Sequence, residues 1–286
     1  MDVISPRGGT WKLAHGRSLV LGETATIMGV LNATPDSFSD GGRYASVGAA
    51  VAESLRMVEQ GASIIDIGGE STRPGATPVD AAEEQRRILP VIEELVRCSD
   101  CLISVDTYRA ETARLAVEAG AHIINDVHGA QREPAIAEVA AKTGAGLCLM
   151  HTGRDRDKLA DVIEDQFHFL RRSLEIAKAA GVEDEAIVLD PGFGFAKDGP
   201  ENLILLARVH EVMALGYPLL VGTSRKRFVR GAIGRADPEP DIATAATSVL
   251  LRERGADVIR VHNVPANRDA LAIADAMRRA LKGERW

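Results

Sequence analysis

The sequence is poor in aromatic residues and in cysteine. Aromatics make up 4% of the 286 residues while hydrophobic residues make up 45%, so the core has to be built from Val, Ile, Leu and Ala. Aliphatic cores of this kind suit buried parallel strands covered by helices. The three cysteines are Cys98, Cys101 and Cys148. An odd count with no signal peptide reads as a reduced, cytoplasmic protein. Cys98 and Cys101 have CxxC spacing, but no second pair completes a zinc site, and a redox or metal role there is set aside. No apolar run approaches the ~20 residues of a membrane span. Positive charge is not in excess either: the net charge of −7 argues against nucleic acid or a membrane surface as partner. It leaves room for a local basic site that takes an anion. Also missing are a glycine-rich dinucleotide fingerprint after the first strand, a convincing Ser/His/Asp triad and a His/Cys cluster with zinc spacing.

What the sequence does have is a repeated unit. Short apolar runs alternate with amphipathic segments of helical period. The runs are expected at 26–31, 63–67, 102–105, 122–124, 146–150, 186–189, 218–221 and 257–261. Helices are expected at about 46–60, with Ser46 as cap, then 80–97, 110–119, 133–142, 159–180, 201–214, from 226 to 254 with an interruption at 234–240, and 266–281. Alternation of this kind implies a parallel sheet, and eight units in about 260 residues imply an α/β (β/α)8 TIM barrel. A doubly wound open sheet is the competing architecture. Two apolar runs around Trp11 and Leu19, with Gly16 between, predict a short N-terminal hairpin in 1–25 that closes the bottom of the barrel. The barrel itself takes 26–282, and no linker divides 1–286 into further domains.

The chain is organised around Asp66-Ile67-Gly68-Gly69-Glu70-Ser71-Thr72-Arg73-Pro74-Gly75. A buried strand here runs into a loop with two glycines, two hydroxyls and a guanidinium. Backbone N–H groups and the planar fork of an arginine suit a phosphorylated ligand. In a barrel all strand carboxyl ends share one face. The first polar residues there are Asn32, Asp66, Asp106, Asn125, His151, Asp190, Ser224 to Lys226, and Arg260 with His262. Each alone reads as a cap or turn former. Together, several carboxylates in one mouth are electrostatically costly without a partner. Asp106, Asn125 and Asp190 suit a flat heterocycle bearing N–H and amino groups, such as a pterin, with Lys226 donating to a ring carbonyl or nitrogen. Asn32, Thr72, Arg73, Arg260 and His262 form a second set, suited to anionic oxygens, in which Asn32 can hold Mg²⁺ through its oxygen. Glu70 and Asp36 could act as bases, but their spacing does not single them out.

At these residues the chain resembles the dihydropteroate synthase family of folate synthesis. The matching stretches are Gly29-Val30-Leu31-Asn32-Ala33-Thr34-Pro35-Asp36-Ser37-Phe38-Ser39-Asp40-Gly41-Gly42, the 66–75 loop, Ser104-Val105-Asp106-Thr107, Asn125-Asp126-Val127, Leu149-Met150-His151, Asp190-Pro191-Gly192-Phe193-Gly194-Phe195, Ser224-Arg225-Lys226 and Arg260-Val261-His262. They span nearly the whole chain in family order. The resemblance implies transfer of a dihydropterin methyl group from its diphosphate to p-aminobenzoate. It implies a pterin pocket from Asp106, Asn125, Met150, Asp190 and Lys226. The diphosphate site would be Asn32, Thr72, Arg73, Arg260 and His262, with Mg²⁺ at Asn32. The p-aminobenzoate site would be bordered by Phe38, Pro74, Phe195, Ser224 and Lys226. Lys226, Arg73, Asp106 and Asp190 are the residues expected to carry the chemistry. A homodimer and sulfonamide binding are implied by the resemblance alone, and loops 33–44 and 68–78 are expected to close over the site. The chain departs from many family members at Arg227, where serine is common, at Asn263, where Asp is common, and at Thr152-Gly153-Arg154-Asp155-Arg156. The rival readings are a pterin-binding methyltransferase, which has no need of Arg73, Lys226 or the Arg260/His262 pair, and a silent pterin-binding paralogue.

Overall fold

In the computed structural model, which describes residues 9–33, 42–70, 79–234 and 240–283, the apolar runs form a ring. A hairpin comes first, β1 (Gly9–Lys12) paired antiparallel with β2 (Ser18–Leu21). The ring strands are β3 (Thr26–Asn32), β4 (Ile64–Gly68), β5 (Leu102–Asp106), β6 (Ile123–Asp126), β7 (Gly146–Met150), β8 (Ile187–Asp190), β9 (Leu220–Val221) and β10 (Val258–Val261). All are parallel, in the order β8-β7-β6-β5-β4-β3-β10-β9. A single bridge from Leu189 to Leu219 joins the two ends, with the Leu189 amide donating to the Pro218 carbonyl at 3.0 Å. The sheet is therefore a barrel and not an open doubly wound layer.

The helices are α1 (Gly42–Glu59), α2 (Ala81–Cys98), α3 (Ala110–Glu118), α4 (Ala135–Thr143), α5 (Val162–Ala179), α6 (Gly199–Arg208), α7 (Arg227–Ile233), α8 (Pro240–Glu253) and α9 (Val264–Leu281). Their starts follow local chemistry. Asp80, Asp161 and Asn263 accept from backbone amides in the first turns of α2, α5 and α9. Asp198 and Glu201 form a reciprocal capping box at α6. Three expectations need correction. α1 begins at Gly42, so Ser46 lies inside the helix and is not its cap. α6 stops at Arg208, and 209–215 tightens into a 3-10 turn. α5 begins at Val162, where the Asp161 cap sets it, and not at 159.

Period two sorts each strand into two cores. Ile65 and Ile67 face outward and join the aliphatic layer shared with the helices. Ile64 faces the axis and meets Met28, Leu102, Ile123, Cys148, Val188, Leu220 and Val258, the residues lining the amino-terminal end of the barrel. Trp11, Leu13 and Leu21 of the hairpin pack onto this group, so the hairpin closes the bottom as expected. Gly146 makes room for it: a Cβ there would sit 2.5 Å from Leu13 and 3.0 Å from the Trp11 indole nitrogen.

Candidate active site

Farther along the same inward faces, the residues become polar. Asp66 follows Ile64, Asp106 ends β5, Asn125 follows Ile123, and Arg260 follows Val258. Arg260 Nε donates to Asp66 Oδ2 at 2.6 Å, and its Nη2 donates to Asp106 Oδ2 at 2.8 Å. Asn125 Nδ2 donates to the same Asp66 oxygen at 3.1 Å. The partner that the clustered carboxylates require is therefore Arg260. This joins the two sets that the sequence reading kept apart, because an arginine assigned to diphosphate sits among the carboxylates. Burial pushes the Asp106 carboxyl up to about 7, with Asp66 adding to the effect and Arg260 opposing it. Burial alone would weaken the Arg260 charge, but the two carboxylates hold its pKa above the usual range.

Across the mouth, Asp190 ends β8 and Lys226 caps α7. Burial raises the Asp190 pKa, and burial lowers that of Lys226 to about 8 against the pull of Asp190. The turn after β8 holds the lysine: its Nζ donates to the Phe193 carbonyl and lies 4.8 Å from the centre of the Phe195 ring. The turn depends on Gly192, which has φ +67 and where a Cβ would fall 1.9 Å from the His151 carbonyl oxygen. Ser224 and His262 meet beside it, Nδ1 to Oγ at 2.9 Å. Met150, buried, pairs in register with Asp190 and lines the same side. Asn32 ends β3 half-buried on the inward face, in register with Gly68 and, one strand on, Asp106.

The mouth thus brings together Asn32, Asp106, Asn125, Met150, Asp190, Phe195, Ser224, Lys226, Arg260 and His262. Phe38, Thr72, Arg73 and Pro74, with Asp36, lie outside the described residues. His151 does not face the mouth. It follows inward-facing Met150, so it turns toward α5, fully buried, with Nε2 3.0 Å from Asp165 Oδ2. Glu70 is bound to Arg109 at 2.8 Å rather than poised as a base, and the same guanidinium reaches Glu84 and the Val79 carbonyl.

Sequence reasoning missed Arg154, whose guanidinium stacks 4.6 Å from the centre of the Phe195 ring, on a ring that also faces Lys226. The segment after His151 was singled out only as a departure. Its other arginine, Arg156, pairs with both oxygens of Asp165 at 2.9 and 2.6 Å. Asn263 caps α9 and also donates to Asp241 at 3.0 Å, a bond that an aspartate there could not make. The same Asp241 takes two bonds from Arg225 and so fixes the backbone before Lys226. Nothing in the structure explains Arg227.

Among the described residues no group of three or more His, Cys, Asp or Glu could hold a metal. Mg²⁺ often takes only one or two protein oxygens and completes its shell with water and substrate phosphates. An amide oxygen at Asn32 fits that mode.

Residues 28–262 match the family model for pterin binding enzymes. The dihydropteroate synthase of Bacillus subtilis is 45% identical over 255 residues, covering 89% of each chain. The chain belongs to the dihydropteroate synthase family. Among solved structures, the Xanthomonas albilineans dihydropteroate synthase with 4-aminobenzoic acid is 42% identical with a TM-score of 0.88, covering 94% of this chain and 99% of that one. The Yersinia pestis dihydropteroate synthase with a sulfonamide drug is 41% identical with a TM-score of 0.85, covering 93% and 98%. Dihydropteroate synthases are transferases of folate biosynthesis, and the fold expectation holds at the level of the whole barrel.

Proposed function

We propose that the mouth joins 6-hydroxymethyl-7,8-dihydropterin diphosphate to p-aminobenzoate, with diphosphate leaving and 7,8-dihydropteroate formed. The observation that carries the assignment of roles is the pair of opposed groups, buried Asp190 with its raised pKa beside half-buried Lys226 with its lowered one. A carboxylate can accept from the N–H and amino edge of the heterocycle while the lysine donates to its carbonyl or a ring nitrogen. Asp106 and Asn125 supply the far wall, and Met150 packs against the ring. Negative charge at Asp106 and Asp190 stabilises positive charge that spreads into the pterin as the carbon–oxygen bond to diphosphate breaks. The arylamine nitrogen then bonds to that carbon and gives up a proton.

Arg260 and His262, with Thr72 and Arg73, are assigned to the developing negative charge on diphosphate. Phe195, Ser224 and Lys226, with Phe38 and Pro74, are assigned to p-aminobenzoate and to a sulfonamide in its place. Asn32 would hold Mg²⁺, which when bound supplies charge neutralisation at the diphosphate oxygens. A cytoplasmic homodimer completes the reading. Its support is an exposed apolar stripe on neighbouring helices, with Ile242 of α8 71% exposed and Ile273 of α9 72% exposed.

The test is to supply the pterin diphosphate and p-aminobenzoate with Mg²⁺ and follow diphosphate and dihydropteroate together. Stoichiometric release is expected, with loss of turnover in EDTA and retained binding of a free pterin. A pterin-binding methyltransferase or a silent paralogue would bind the pterin and release no diphosphate. Equal turnover in EDTA would remove the metal from Asn32.

A further inference from the structure

Behind the turn that carries Phe195 lies a buried chain of polar groups to which none of the assigned roles extends. Lys197 is buried, and its Nζ donates to the Gly192 carbonyl at 2.8 Å, closing the 192–197 turn on itself. The same Nζ lies 2.8 Å from His151 Nδ1. The other ring nitrogen, Nε2, lies 3.0 Å from Asp165 Oδ2 on α5 and 2.9 Å from Arg156 Nη2, and Arg156 in turn donates to both Asp165 oxygens. Burial holds the His151 pKa down to about 4, in line with a neutral ring. The backbone of the turn rests on the same histidine strand: His151 N donates to the Asp190 carbonyl at 2.8 Å and Gly153 N to the Phe195 carbonyl at 3.2 Å. The turn in its own right presents the Phe193 carbonyl and the Phe195 ring to Lys226.

We propose that Lys197, aligned by His151 and through it by Asp165, is a positioning residue that sets the 191–196 turn and so the placement of Lys226 and Phe195 in the mouth. Such a side chain touches no substrate and acts through another, which is how a misplacement of about 1 Å costs turnover far from the chemistry. This inference rests on the reading of Phe195 and Lys226 as substrate-binding groups only for its kinetic consequence.

The variants are Lys197→Met, which keeps the apolar stem, His151→Leu, and the two combined. In protein labelled with 4-fluorophenylalanine, with the Phe195 resonance identified by Phe195→Leu, that resonance shifts or broadens in each variant. The KM for p-aminobenzoate rises in each, by up to the roughly 10²-fold scale of such misplacements. The double variant is no worse than the worse single one, because both break one chain. An unmoved Phe195 resonance in folded Lys197→Met overturns the proposal. So do single losses that multiply in the double variant, or a fall in kcat that only follows loss of folded protein while both KM and the Phe195 resonance stay constant. A moved resonance with unmoved KM upholds the positioning role and removes Phe195 from the p-aminobenzoate site instead.

Discussion

The two ends of the barrel are made by the same strands and do opposite things. At the floor the inward residues are Met28, Ile64, Leu102, Ile123, Val188 and Val258, sealed by Trp11 and Leu21. Two or four positions later on those strands they are Asn32, Asp66, Asp106, Asn125, Asp190 and Arg260. The floor gains free energy from apolar burial with no ligand present. The mouth buries carboxylates and cations whose desolvation is only partly offset by pairing, and a buried ion pair is weak evidence for stability. Stability is therefore concentrated at one end and chemistry at the other, separated by a few residues of strand.

The comparison is broken most severely at the floor. Trp11 is 1% exposed and donates through its indole nitrogen to the Ala186 carbonyl at 2.9 Å. Trp11→Ala is expected to cost about 3–5 kcal/mol in chemical denaturation, with turnover per folded molecule unchanged. A large loss of turnover at full folding would show that floor and mouth are coupled. Lys226→Met should do the reverse. Turnover falls by about 10²–10³-fold, the scale for removing one positioned donor. The denaturation midpoint moves less than for Trp11→Ala, because Asp190, with its raised pKa, can take up a proton. Steady-state kinetics beside a urea melt separates the two outcomes.

The smallest effect is a difference of sign with pH. Asp106 in the fold holds its proton up to about 7, whereas an unfolded aspartate releases it near 3.9. Its contribution to stability is full below the unfolded value and is lost as pH rises through 7. His122, beneath the barrel, accepts from the Ile103 amide at 3.0 Å, and burial lowers its pKa to about 4 from an unfolded value near 6.5. Its contribution is present above about 6.5 and is lost as pH falls through 4. Melting temperatures of the ligand-free protein across pH 4–7 should lose their falling component in Asp106→Asn and their rising component in His122→Asn. A wild-type curve in Asp106→Asn would mean that Arg260 keeps that carboxylate ionised throughout.

What the sequence determined by itself is the periodic part. Strand and helix alternation, the hairpin, and the polar residue ending each strand are local patterns. So is the set of motifs that marks the family, and it placed the barrel. Tertiary structure decided which polar groups share a charge. Arg260 is 154 residues from Asp106 and 194 from Asp66. Only the pairing of the last strand with the first, which sets β10 beside β3 and so within reach of β4 and β5, makes them a triad. It also decided which way His151 points. The residue was legible as a strand end, but a strand's alternation puts adjacent residues on opposite faces. Inward-facing Met150 therefore sends His151 out to Asp165 and Lys197, and neither partner has a sequence signal of its own.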